Sequence, residues 1–137
     1  VIIFRLFTVY GKEQQPEKGR LLPDLVAAMS QGQTYVIKNR HAKRDFTHVN
    51  DLCSAIEKII QGTRVPTGAY DFGTGVSTAV EKVVEQVIRY YPEGSIQYLA
   101  MPNSSCDNHV ASRPNLMEML AIEYTPLSAG IGFTIDP

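Results

Sequence analysis

The side chains most able to do chemistry in this chain are a basic run, a glycine pair, three histidines and two cysteines. The run "KNRHAKR" holds Lys38, Arg40, Lys43 and Arg44 around His41. Taken alone it reads as a solvated turn. Arg44 stands apart, because it precedes the alternating piece "DFTHV" and so has a fixed base. An arginine on a strand end presents a planar fork suited to a phosphate or pyrophosphate. Gly73-Thr74-Gly75 falls between a strand pattern and a helix pattern, where a dinucleotide loop would lie. The third glycine position is Thr78, and no long parallel unit with an acid about 20 residues on follows. A structural turn is the expectation. His41, His48 and His109 lack metal-ligand spacing. His48 reads as a half-buried structural residue, Cys53 as helix packing, and Cys106 has no basic neighbour to activate it. No metal site and no nucleophilic triad is expected.

These residues need elements to hold them. "VIIFRLF" reads as one strand, with Thr8-Val9-Tyr10-Gly11 turning the chain. Leu22, Leu25, Val26 and Met29 recur at helical spacing, and Gly32 ends that helix. "TYVIK" is a strand and "RDFTHV" an extended piece. The next helix takes Asn50 or Asp51 as its cap, with Leu52, Ala55, Ile56, Ile59 and Ile60 as its apolar stripe. "AYDFG" is a strand. Thr78 and Glu81 have the spacing of a capping box, opening a helix that carries Val80, Val83, Val84, Val87, Ile88 and Tyr91 on one face. "SIQYLA" is a strand, Pro114 to Leu120 a short helix, and the tail from Ala121 is weakly patterned. Strands alternating with helices give an α/β class, as one domain over 1–137.

Composition narrows the function classes. The apolar fraction of 44% and charged fraction of 20% are those of an ordinary globular domain. A net charge of −1 argues against a nucleic-acid partner, including one bound through "KNRHAKR". No apolar run approaches a membrane span, and Arg5 interrupts the opening stretch before it could serve as a signal core. Cytoplasm is the expected location.

Set in order, "FRLFTVYG", "RLLPDLVAAMSQGQ", "YVIKNRHAKRDFTHVNDLCSAI", "GAYDFGTGVSTAVEKVVEQV" and "ASRPNLMEMLAIEYTPLSAGI" resemble the carboxyl-terminal half of the extended short-chain dehydrogenase/reductase family, the NAD-dependent nucleotide-sugar epimerases and dehydratases. The resemblance implies a partial Rossmann-like sheet with the small substrate-binding α/β region, lacking the amino-terminal dinucleotide-binding half. It implies that the glycine-rich NAD loop and the Tyr-x-x-x-Lys pair are missing. Tyr35 has Lys38 three residues on, on a strand that would send the two to opposite faces.

The resemblance also implies site residues. Thr8 takes the place of an asparagine that holds substrate phosphate. Leu6 and Phe7 match residues beside the nicotinamide. Arg20 and Leu21 match the segment that closes over the nucleotide, and Arg44 matches the pyrophosphate arginine. Asp71 replaces the asparagine of Tyr-Asn-x-Gly. Asp107 fits a loop acid, with Ser104 where a second arginine is usual. The implied function is the nucleotide-sugar-binding half of such an enzyme, without catalysis or NAD binding of its own. The alternative is a free-standing, non-catalytic binding or assembly module. In both, Val1–Phe4 at a sheet edge would drive homo-oligomer formation.

Overall fold

The structure, a computed structural model, describes residues 1–16, 19–99, 108–112 and 115–135. Its elements run β1 (Ile2–Leu6), β2 (Thr8–Tyr10), α1 (Leu21–Ser30), β3 (Thr34–Ile37), β4 (Lys43–Arg44), β5 (Phe46–His48), α2 (Val49–Ile60), β6 (Gly68–Phe72), β7 (Thr78–Ala79), α3 (Val80–Ile88), β8 (Ser95–Tyr98), β9 (Asn108–His109), α4 (Leu116–Met119) and α5 (Leu127–Ile135). The α/β class holds.

Three two-stranded sheets are parallel pairs: β1 with β6, β2 with β5, and β3 with β8. A short three-stranded sheet runs β7-β4-β9. The opening strand is therefore not one strand. It breaks at Phe7, where the Val9 N–H bonds back to the Phe7 carbonyl (3.1 Å), and residues 8–10 pair with β5 rather than turning. A matching break falls at Asp45, between β4 and β5. The two breaks meet: Thr8 N–H donates to the Asp45 carbonyl (3.0 Å), and Asp45 N–H donates to the His109 carbonyl (3.0 Å).

Two apolar cores lie against these ladders. The larger gathers Tyr10, Phe46 and Ile37 with the inner faces of α1 and α3. The α3 stripe is as its spacing requires: Val80, Val83, Val84 and Val87 are all buried, roughly 1.5–3 kcal/mol each. The smaller core joins Ala55, Tyr70, Phe72, Leu116, Met117 and Leu120, with Phe4 stacked on Phe72 at 5.8 Å.

Several local expectations need correction. His48 caps α2, its Nδ1 accepting from the Asn50 N–H (3.3 Å), in place of Asn50 or Asp51. The α2 stripe holds in part. Leu52, Ala55 and Ile59 pack into the smaller core, while Ile56 and Ile60 are exposed, and Asp51 is buried, its carboxylate accepting from the Thr125 N–H (3.0 Å) and hydroxyl (2.7 Å). The Thr78–Glu81 capping box does not form. Thr78 pairs with Arg44 in the sheet, and the first α3 amides bond to carbonyls of the connection between β3 and β4, Val80 to Ala42 (2.9 Å) and Glu81 to Arg40 (3.0 Å). The short helix starts at Leu116 under an Asn115 cap, Pro114 lying outside the described residues. The weakly patterned tail contains α5. Its Gly130 packs so closely under the Tyr10 hydroxyl that an added Cβ would overlap it.

Candidate functional site

The breaks at Phe7 and Asp45 open a crevice beyond the carboxyl ends of β1 and β4, the kind of place where α/β sheets take ligands. A cleft of about 890 Å³ lies there. Leu6, Phe7, Thr8, Arg20, Leu21 and Arg44 all border it, so six sequence-implied site residues are brought together. The volume suits a small-molecule ligand.

The other two implied residues are placed differently. Asp71 is buried and does not border the cleft, accepting from Arg5 Nε (2.8 Å) and from the Ser112 N–H (2.8 Å) and hydroxyl (2.7 Å). The bond from the Ser112 hydroxyl, with its N–H and the Arg5 guanidinium, holds the Asp71 carboxyl below the ordinary range against the opposing effect of burial. Asp107 lies outside the described residues, as do Ser104 and Cys106.

Sequence reasoning passed over Lys38 and Asn39, which also border the cleft. Lys38 follows the end of β3 at Ile37. Its place directly after a strand, at the head of the basic run, was the available signal. Arg40 does not border the cleft. Its guanidinium stands 5.6 Å over the Tyr98 ring and 3.9 Å from Glu81.

Among the described residues, Tyr10 and Tyr35 border the cleft, and neither is poised as a proton carrier. Burial, helped by Asp51, pushes the Tyr10 phenol far above its ordinary value. Burial and the Asp24 charge also raise Tyr35. A tyrosine poised to take a proton near neutral pH needs the opposite shift. His48 is buried under Tyr10 and lowered by that burial, with Asp51 opposing.

The glycine turn is a structural one. The Asp45 carboxylate fills it, accepting from the Thr74 N–H (2.9 Å), the Thr74 hydroxyl (2.6 Å) and the Gly75 N–H (2.9 Å). A Cβ at Gly73 would come within 2.6 Å of the Asp45 Oδ2, and Gly75 has φ +74°, so both positions call for glycine. A turn already holding a carboxylate does not fit a dinucleotide diphosphate. Leu6 and Phe7 offer apolar surface beside the cleft, which suits a flat ring but supplies no phosphate contact. Among the described residues no cluster of His, Cys, Asp or Glu could hold a metal ion, and no helix is long and apolar enough to cross a membrane.

Comparison with known proteins gives a consistent picture. A dTDP-glucose 4,6-dehydratase of Streptomyces niveus is 26% identical over 135 residues, covering 98% of this chain and 37% of that protein. A dTDP-glucose 4,6-dehydratase of Bacillus anthracis, solved with NAD, is 25% identical with a TM-score of 0.77, over 98% of this chain and 43% of that one. MoeE5, solved with UDP-glucuronic acid and NAD, has a TM-score of 0.81 at 24% identity, over 98% of this chain and 46% of that one, a likeness of fold. The chain thus spans less than half the length of each. The model of the NAD dependent epimerase/dehydratase family matches residues 1–73, the stretch that contains both sheet breaks and most of the cleft wall. The chain belongs to the NAD dependent epimerase/dehydratase family.

Proposed function

We propose that this chain is the nucleotide-sugar-binding part of an epimerase or dehydratase, with no hydride transfer of its own, working in the cytoplasm. One observation carries the reading: a single cleft borders Thr8, Arg20, Leu21 and Arg44 together with the apolar Leu6 and Phe7. In this reading Arg44 takes the diphosphate, Thr8 donates its hydroxyl to a phosphate oxygen, and Arg20 and Leu21 cover the nucleotide. Asp71 acts from outside the cleft, holding Ser112 and Arg5, and Asp107 completes the ligand set. NAD in the whole enzyme would meet Leu6 and Phe7.

Calorimetric titration with UDP-glucose tests this. Arg44→Ala should weaken binding about tenfold or more, the loss of a charge-assisted contact, while Arg40→Ala should change it less than about twofold. Equal losses would reduce the site to diffuse charge. Titration with NAD should give no stoichiometric binding tighter than about millimolar.

The assembly reading has its own support. On the side away from β6, β1 has no ladder partner among the described residues, and Ile3 is 54% exposed. Two copies pairing at this edge would cover it.

A further inference from the structure

We infer that Asp45 is a positioning residue of the nucleotide-sugar site: an internal anion that fills the glycine turn and, through its own backbone, sets Thr8 and Arg44 at the cleft. The inference rests on the binding reading above and adds a residue to it.

Asp45 is 0% exposed. Its Oδ1 accepts from the Thr74 N–H and hydroxyl, with the Thr47 hydroxyl at 3.5 Å. Its Oδ2 accepts from the Gly75 N–H (2.9 Å) and the Ala111 N–H (3.1 Å). These donors come from β5, the turn after β6, and the segment after β9. Such convergent N–H groups form the concavity that elsewhere binds a phosphate. Here the chain supplies the anion itself, and an incoming diphosphate is left to Arg44.

The backbone of Asp45 carries this fixation to the cleft. Its carbonyl holds the Thr8 N–H and its N–H is held by His109. Its neighbours Arg44 and Phe46 both border the cleft. Between them Arg44 is paired on two sides, to Thr78 and to His109. Releasing the carboxylate would loosen the point where two sheets exchange the chain, and with it both phosphate-facing residues.

Asp45→Asn keeps the shape but sets an amide N–H₂ against a backbone N–H whichever way it turns, Thr74 on one side and Gly75 and Ala111 on the other. UDP-glucose affinity should fall about tenfold, and Arg44→Ala in that background should add less than about twofold, because the two act as one unit. Effects that multiply would overturn the inference. Amide NMR of the same variant, without ligand, should show shifts at Thr8 and Arg44 as well as at Thr74, Gly75 and Ala111. Shifts confined to the last three would also overturn it. If the unsubstituted chain fails to bind UDP-glucose, the binding reading falls, and the NMR result alone decides whether Asp45 sets Thr8 and Arg44. If Asp45→Asn does not fold, Thr74→Val, which removes one donor, carries both measurements, with an affinity loss of about threefold.

Discussion

Two buried carboxylates stand behind the end of β6, and consecutive amides serve them: Ala111 donates to Asp45 and Ser112 to Asp71. The regions differ in what neutralises the charge. Asp45 is surrounded by neutral backbone and hydroxyl donors and is sealed from water. Asp71 has a cation, but Arg5 keeps 55% of its side chain exposed. The difference separates two uses of a carboxylate. One orders the backbone around it, and its removal leaves several donors unmet. The other joins a strand to a loop through a partner that water can partly replace.

The sharpest break of this comparison is truncation. Asp45→Ala should cost about 3–5 kcal/mol, since four donors in a sealed site lose a charged acceptor, while Asp71→Ala should cost about 1–3 kcal/mol, since one of its three donors is the half-exposed Arg5. Urea unfolding of both variants measures the gap, and equal costs would erase the distinction. Next comes crowding: Gly73→Ala sets a methyl against Asp45 Oδ2 and the Ala111 methyl, for about 1–3 kcal/mol.

The pH dependence sharpens the Asp71 side. A lowered carboxyl pKa means that the stabilisation is whole above the ordinary value of 3.8 and is lost as pH falls through the folded value. Ser112→Ala should raise the Asp71 titration more than Arg5→Ala, by carboxyl NMR. The reverse order would make the exposed ion pair dominant. His48 opens an earlier window of the same sign. Burial lowers it, so below 6.5 the unfolded chain takes up a proton that the folded chain refuses, and stability begins to fall there. His48→Gln should flatten the slope between pH 6.5 and the carboxylate range. The smallest effect is at the far face of β1. Ile3→Lys should leave stability within about 0.5 kcal/mol and shift sedimentation toward monomer. A monodisperse monomer before substitution would remove the assembly reading.

Much of this was legible in the sequence where the signal is local. The α1 and α3 stripes follow from spacing alone, and the order of motifs pointed to six of the cleft residues. Asp45 was not legible, because its partners at Thr74 and Ala111 lie 29 and 66 residues away. The clue was indirect: a glycine turn with inward N–H groups needs an anion, and an acid in "RDF" could supply it. Thr78 misled because a capping pattern is also a strand pattern once Arg44 offers a ladder. The α5 helix was missed because "LSAGIGFTI" is apolar all round and has no stripe to read.

The long-range parallel ladders also govern how the chain comes into being. Ile2 must wait for Gly68, and Thr34 for Ser95, before either pair can close. At roughly 5–20 residues per second of synthesis, the wait for β6 lasts on the order of several seconds. During it the edge of β1 that β6 will cover stays unsatisfied. This interval, more than the finished fold, is when the chain is exposed to misassociation, and slowing synthesis between β1 and β6 should lower its soluble yield while slowing after β8 should not.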